Sequence, residues 1–175
     1  MKRTVLIFGL ISGAISSLMM VLTLPFMDRI GFDRGEILGY TTIVLSFLMV
    51  YAGIRSYRDN VCSGTITFGR AFMLGLLITL ISSACYVVTW EILYFNVDSI
   101  RTLMNRYAQH MMDQAKAAGA TSEAIETQLR EIERFKKLYE NPLSNAALTF
   151  MEPFPVGLVI TLLSSAILRK RRRVD

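Results

Sequence analysis

The chain has 175 residues, of which 53% are hydrophobic and 19% are charged, with a formal net charge of +5. Its mean hydropathy is +0.42. The apolar residues fall into four blocks of about twenty residues each, which is the length of a membrane-spanning helix. This distribution argues against a soluble enzyme domain, a disordered tail and a secreted disulfide scaffold, and it predicts a polytopic membrane protein.

The four apolar blocks predict membrane spans at residues 4–27, 37–54, 71–95 and 143–168. The first block follows Lys2 and Arg3, as a signal peptide would. It is too long for the apolar part of a signal peptide and no small-residue cleavage site follows it, so we interpret it as an uncleaved span. The fourth block contains Glu152, Pro153 and Pro155, which predict a helix that begins or kinks near Glu152.

The basic residues are concentrated in three short segments that adjoin the apolar blocks. Because short basic loops stay in the cytoplasm, we predict that both termini and the loop after the second span are cytoplasmic. Residues 28–36 and 96–142 then face the outside. The basic run directly after span four indicates a stop-transfer signal and an anionic-lipid anchor, and we expect no nucleic-acid partner. The three segments contain Lys2 and Arg3; Arg55, Arg58 and Arg70; and Arg169, Lys170, Arg171, Arg172 and Arg173.

The segment at residues 96–142 predicts two amphipathic helices. Gly119 is the expected C-cap of the first helix, and Thr121 or Ser122 is the expected N-cap of the second. The absence of a strong helix breaker between residues 93 and 100 allows the first helix to continue span three outward. The predicted fold is therefore all-α: a four-transmembrane-helix bundle with an extracytoplasmic amphipathic helical hairpin between the third and fourth spans.

The hairpin leaves two interpretations of its apolar stripes. In the first, the stripes of the two helices bury each other. In the second, one stripe stays uncovered and binds a protein partner, lipid or a second copy of the chain. The first stripe contains Val97, Ile100, Leu103, Met104, Tyr107 and Met111, and the second contains Ile125, Leu129, Ile132, Phe135 and Tyr139.

Two groups of residues are candidates for helix packing and lipid contact. Gly9 and Gly13 are four residues apart on one helix face, an arrangement that lets two helices approach closely. We expect this face to pack within the protomer or between copies. Arg55, Arg58 and Arg70 lie at the predicted cytoplasmic interface, where guanidinium groups contact lipid phosphates.

Two carboxylates lie inside apolar blocks. Glu91 is near the outer end of span three, and Glu152 is about 5 Å below the outer boundary when span four is measured from Arg169 at 1.5 Å per residue. We expect interfacial carboxylates that hydrate or cap a helix end. The alternative hypothesis is that Glu91 and Glu152 face each other in a polar pocket below the hairpin.

Several motifs together resemble a known bacterial family. A glycine precedes an I-R-S-Y-R-D element, a G-x-I-x-F-x-x-A-F element opens the next span, and P-x-G stands in the last span. These elements are similar to those of the family called domain of unknown function 4199 (DUF4199). The resemblance implies a four-span inner-membrane protein of Gram-negative bacteria, with no known activity or catalytic residue. The residues that carry it are Gly53, Arg55, Tyr57, Arg58, Gly64, Phe68, Ala71, Phe72, Gly75, Pro155 and Gly157.

The sequence contains no signature of an enzyme. Nucleophile-elbow, phosphate-loop and dinucleotide motifs are missing, so we expect no catalytic residue and no cofactor. His110 and Asp113 are one turn apart, but two ligands do not make a metal site. We therefore predict a non-enzymatic membrane component that binds lipid or a protein partner. The alternative is a small transporter or channel subunit that uses Glu152.

Overall fold

The computed structural model describes residues 1–170, without the side chains at positions 28 and 104. This part of the chain is predominantly helical and contains no strand. A 3-10 turn at Leu24–Phe26 joins the first two helices. The helices are α1 (Lys2–Thr23), α2 (Met27–Ile30), α3 (Phe32–Val61), α4 (Phe68–Asn96), α5 (Asp98–Ala117), α6 (Ser122–Glu140), α7 (Pro142–Phe150) and α8 (Pro153–Leu168).

Four stretches of helix are long and apolar enough to cross a membrane: Lys2–Phe26, Phe32–Val61, Phe68–Asn96 and Pro142–Leu168. The predicted all-α fold with four spans is therefore confirmed. The helices extend beyond the predicted apolar blocks at several ends. At 1.5 Å per residue α3 is about 45 Å long, more than the ~30 Å of hydrocarbon, because charged residues continue the helix at both ends.

The four long elements form a bundle in which α3 and α4 each pack against both α1 and α8. Fully buried apolar side chains of α3 and α4 fill its centre, among them Val50, Ile54 and Ile78. The loop between α3 and α4 lies beside the segment after α8, where the backbones of Ile66 and Lys170 exchange hydrogen bonds of 3.0 and 2.9 Å. We call this end of the bundle the termini end, and the opposite end the α5–α6 end.

Buried hydroxyl groups connect the helices across the bundle. Ser12 Oγ of α1 donates to the Ser46 carbonyl of α3 at 2.8 Å and lies 2.9 Å from Ser82 Oγ of α4. Thr79 Oγ1 of α4 and Thr161 Oγ1 of α8 are 3.0 Å apart. In a membrane these short side chains satisfy each other while they allow close helix packing.

The option that α5 simply continues span three is wrong. α4 ends at Asn96, Val97 has extended backbone angles (φ −123°, ψ 100°), and α5 begins at Asp98. A β-branched residue favours the extended conformation, and an aspartate favours the first turn of a new helix because it faces the positive end of the dipole. This single extended residue lets α5 change direction.

The turn between α5 and α6 follows the sequence signals. Gly119 has a φ of +76°, and its backbone N–H bonds to the Lys116 carbonyl at 3.0 Å, as expected of a glycine cap. Of the two predicted N-caps of α6, Thr121 is the one whose side chain accepts from the backbone N–H of Ala124.

The two apolar stripes differ in burial. Ile100 and Leu103 of α5 are 6% and 7% exposed. No described residue of α6 is buried, and Phe135 is 54% exposed. The apolar face of α6 therefore stays largely uncovered, and the interpretation in which the two stripes bury each other does not hold for this helix.

Span four consists of two helices. α7 ends at Phe150, Met151 and Glu152 form a turn, and α8 starts at Pro153. A proline is accepted in a first helical turn because its missing N–H has no partner there in any case. In the predicted basic run after α8, Arg171, Arg172 and Arg173 lie outside the described residues.

Candidate functional site

A cavity of about 380 Å³ lies at the α5–α6 end of the bundle, and we call it the end cavity. Its walls come from α1, α3, α4 and α5, with further side chains from α2, α6, α7 and the turn between α7 and α8. It is partly open rather than sealed. Sequence blocks far apart in the chain therefore meet around a single space.

Glu152 lies in the wall of the end cavity because span four breaks there. The Tyr86 hydroxyl of α4 donates a hydrogen bond of 2.9 Å to Glu152 Oε2. Within the described residues, Tyr86 is the one hydrogen-bond partner of this carboxylate. Glu152 is exposed, although protein atoms surround its side chain on several sides.

Glu36, near the start of α3, is a second carboxylate in the same wall. Glu36 and Glu152 are both exposed residues that line this one cavity. Among the described residues that line the end cavity there is no lysine, arginine or histidine. The cavity wall therefore has an acidic character that nothing in the described lining neutralises.

Aromatic rings make up much of the remaining wall. Burial raises the pKa of the Tyr107 phenol and of the Tyr139 phenol. The aromatic lining residues are Phe32, Tyr40, Tyr86, Trp90, Tyr107 and Tyr139.

Asn145 of α7 fixes the wall of the end cavity from behind. Its side chain is fully buried. Its Oδ1 accepts from Trp90 Nε1 at 2.9 Å and from Thr149 Oγ1 at 3.2 Å, and its Nδ2 donates to the Tyr139 carbonyl at 3.1 Å. One amide thus holds α4, the end of α6 and α7 together and orients Trp90.

Glu91 is placed differently from Glu152. It is not among the described residues that line the end cavity, and its Oε1 is buried without a hydrogen-bond partner. At 100° per residue, Glu91 lies about 140° around α4 from Tyr86, the residue that contacts Glu152. The pairing of Glu91 with Glu152 in one pocket stays a prediction.

The predicted lipid contacts lie at the termini end, where their surroundings differ. Arg58 makes two hydrogen bonds to Asp59, of 2.7 and 3.2 Å, and a long one of 3.5 Å to the Leu168 carbonyl at the end of α8. Arg55 is 3.7 Å from the same aspartate and 62% exposed, and Arg70 is exposed. Arg55 and Arg70 are therefore freer than Arg58 to contact headgroups.

Gly9 and Gly13 of α1 lie against α4. A Cβ on Gly9 would stand 2.9 Å from Ile81 Cβ, and one on Gly13 would stand 2.6 Å from Cys85 Cβ. Because Ile81 and Cys85 are one turn apart, the two glycines form one contact surface for α4 within the protomer.

His110 of α5 does not pair with Asp113. Its Nε2 lies 3.2 Å from Oδ1 of Asp33 at the start of α3, and Gln114 donates to the same oxygen at 3.0 Å. The His110 ring also packs near Phe32 at a centroid distance of 5.3 Å. These contacts tie α5 to the beginning of α3. In residues 1–170, no group of three potential ligands is arranged for a metal ion.

A larger groove of about 700 Å³ runs between α5, α6 and the end of α4. Its wall includes Phe95, Met111 and Phe135 beside charged residues such as Arg101 and Glu131. Tyr107 and Tyr139 line both this groove and the end cavity. The two spaces therefore share a wall formed by two tyrosines.

Sequence reasoning identified Glu152 but missed Glu36, Tyr86, Trp90 and Asn145. Glu36 lay in a short charged loop of the predicted topology, and the other three lay inside apolar blocks. Trp90 carried one usable signal, because tryptophan is enriched at membrane interfaces. Asn145 carried a second signal, because an amide inside an apolar block needs hydrogen-bond partners when it is buried.

Comparison with known proteins supports one assignment. The model of a family described as Protein of unknown function (DUF4199) matches residues 7–170 of the chain. No curated protein and no solved structure matches it. The matched region contains most of the first span, the other three spans and every described residue that lines the end cavity. This chain therefore belongs to the DUF4199 family.

Proposed function

We propose that the chain is a non-enzymatic membrane protein that binds a lipid or a similar amphiphile in the end cavity. The observation that carries the proposal is this partly open space of about 380 Å³, whose wall combines apolar side chains with the polar groups of Glu36 and Glu152. Ligand pockets commonly have about 300–1,000 Å³ and mostly apolar walls with a few polar groups. The volume suits a headgroup and the adjoining part of a chain.

The depth of the cavity supports an amphiphile. α8 has 16 residues and is about 24 Å long at 1.5 Å per residue. Measured from its end at Leu168, Glu152 lies about 6 Å short of a hydrocarbon thickness of ~30 Å. Headgroups and acyl chains meet at this level, so a cavity there receives both parts of a lipid.

The orientation belongs to the same proposal. The basic residues at the termini end favour the cytoplasm for both termini and for the α3–α4 loop. The end cavity then opens at the opposite surface, which in a Gram-negative bacterium is the periplasmic face of the inner membrane. Cysteine labelling of Gly119→Cys and Thr65→Cys in intact cells tests this, and labelling of both from the same side contradicts it.

The test of lipid binding uses two glycines at which a side chain meets open space. Gly39 lines the end cavity, Gly69 lies at the start of α4, and neither has another atom within 4 Å of a built Cβ. We expect Gly39→Phe to fill the cavity and Gly69→Phe to leave it unchanged. Native mass spectrometry of the detergent-extracted protein should show retained lipid for wild type and Gly69→Phe, and a loss for Gly39→Phe.

The same spectra decide the outcome. Equal lipid retention by both variants shows that lipid binds elsewhere, and a wild-type protein without retained lipid contradicts the proposal. A second protein chain retained with the wild type supports the other form of binding, through the uncovered face of α6, where Leu129, Phe135 and Leu138 are exposed.

A second candidate function is that of a small transporter or channel subunit. The observation in its favour is the break in span four, which puts Glu152 into a partly open cavity. Broken helices and intramembrane carboxylates are typical of transport pathways. Proton flux into proteoliposomes that is abolished by Glu152→Gln and retained by Glu133→Gln, an exposed glutamate on α6, supports this function. The absence of flux in the wild type excludes proton transport.

A further inference from the structure

We infer that the end cavity selects an amphiphile whose headgroup carries an ammonium group, an inference that rests on the proposed lipid site. The juxtaposition that carries it is that of two carboxylates and several aromatic rings in one wall, with no basic side chain among the described lining residues.

The charge of the wall selects the sign of the ligand. Glu36 comes from α3 and Glu152 from the turn between α7 and α8, and both line the end cavity. An anionic headgroup placed between them would be repelled by both. A cation offsets their repulsion, and in a partly closed site this attraction is stronger than in bulk water.

The hydrogen bond from Tyr86 leaves the other oxygen of Glu152 free to contact such a cation. Tyr86 occupies Glu152 Oε2 at 2.9 Å and orients the carboxylate. Within the described residues, Oε1 of Glu152 has no partner, and Glu36 has none either. Both groups are acceptors only, so the ligand has to supply the donors, as an ammonium group does.

The aromatic rings favour an ammonium group over a small hydrated metal ion. Tyr40, Tyr86, Trp90 and Tyr107 come from three helices and face one cavity. Their ring faces are electronegative and attract organic cations, and surrounding rings of this kind are a recognition mode for amines. The described lining contains two carboxylates, which provide fewer oxygen ligands than the about 6–8 that a calcium ion takes.

The rest of the wall accommodates a hydrocarbon stem. The α1 and α2 side of the cavity is lined by Met19, Met20 and Met27. Ile43 of α3 and Leu103 of α5 add further apolar surface. Methionine is flexible and adapts to irregular apolar ligands. A free soluble amine would leave this surface uncovered, whereas the carbon chain of a lipid covers it.

Trp90 provides a direct measurement because it is the one tryptophan of the chain and lines the cavity. The full chain, delipidated in detergent, is titrated with phosphatidylethanolamine or phosphatidylglycerol that carry the same brominated acyl chains. Bromine quenches a nearby indole, so quenching of Trp90 reports occupancy. We expect phosphatidylethanolamine to half-saturate the quenching at a concentration at least tenfold lower than phosphatidylglycerol does.

The variants identify the groups responsible. Glu36→Gln and Glu152→Gln should each reduce this preference at least threefold, whereas Glu133→Gln, outside the cavity, should leave it unchanged. Because Glu152→Gln can disturb the break in span four, Glu36→Asp provides a second variant that keeps the charge and should keep the preference. Gly39→Phe should remove the selective quenching and Gly69→Phe should not.

Each outcome has a distinct meaning. Equal binding of the two lipids, or tighter binding of phosphatidylglycerol, overturns the ammonium inference and leaves the proposed lipid site standing. No saturable quenching by either lipid overturns both. Competition by soluble ethanolamine at the same concentration as the lipid shows that the ligand is a free amine and overturns the assignment to an amphiphile.

Discussion

The two ends of the bundle are built from the same four spans but packed in different ways. Towards the termini end, Val50, Ile54, Leu74 and Ile78 are completely buried, and glycines bring the helices into close contact. At the α5–α6 end the helices leave an open cavity with charged and aromatic walls. Dense packing stabilises the fold, whereas an open polar space destabilises it. Such a space is retained where the binding of a ligand compensates for the lost stability.

The largest expected effect is the difference in stability between a glycine-to-leucine substitution in the tightly packed part of the bundle and the same substitution in the end cavity. A Cβ on Gly157 of α8 would stand 2.5 Å from Thr79 Cγ2 and 2.7 Å from Phe47 Cζ, while one on Gly39 meets nothing within 4 Å. Gly157→Leu should therefore destabilise the protein by about 3 kcal/mol through overpacking. Gly39→Leu should leave stability unchanged or raise it slightly. The thermal midpoints in detergent measure both, and equal midpoints would contradict the contrast.

An intermediate effect is expected where the cavity wall is fixed. Asn145→Ala removes three hydrogen bonds and leaves the Trp90 N–H and the Tyr139 carbonyl without this partner. We expect a loss of about 2 kcal/mol, because unpaired buried polar groups are costly. The emission of Trp90 should also change.

The matched control for this prediction is Asn60→Ala, since Asn60 is exposed and makes a single bond of 3.3 Å to Ser56. We expect neither its thermal midpoint nor its Trp90 emission to change. Wild-type emission in Asn145→Ala would show that the amide does not orient the indole.

The smallest effect is expected at the contact between α5 and α3. Asp33→Ala removes the acceptor of His110 and Gln114, but the aspartate side chain is 71% exposed. Exposed pairs contribute about 0.2–1 kcal/mol. Amide hydrogen exchange of α5 should accelerate severalfold while exchange in α3 and α4 stays slow, and Asp113→Ala should change neither. Uniform acceleration across the bundle would show that α5 is not a separate, weaker unit.

The sequence alone determined the four spans, the break in the fourth and the turn at Gly119. These features are local: apolar length, proline chemistry and a left-handed glycine each act within a few residues. It did not exclude a continuous helix across Val97, because a single extended residue leaves almost no trace in a periodic pattern.

Only the tertiary structure decided the composition of the end cavity. Glu36, Tyr86 and Glu152 come from three elements, and whether side chains so far apart in sequence meet depends on how the helices rotate and cross. The same reason explains why the partner of His110 is Asp33 rather than Asp113, and why Ile100 and Leu103 of α5 are buried while no described residue of α6 is. Periodicity specifies which face of a helix is apolar, and packing against the other helices decides what covers that face.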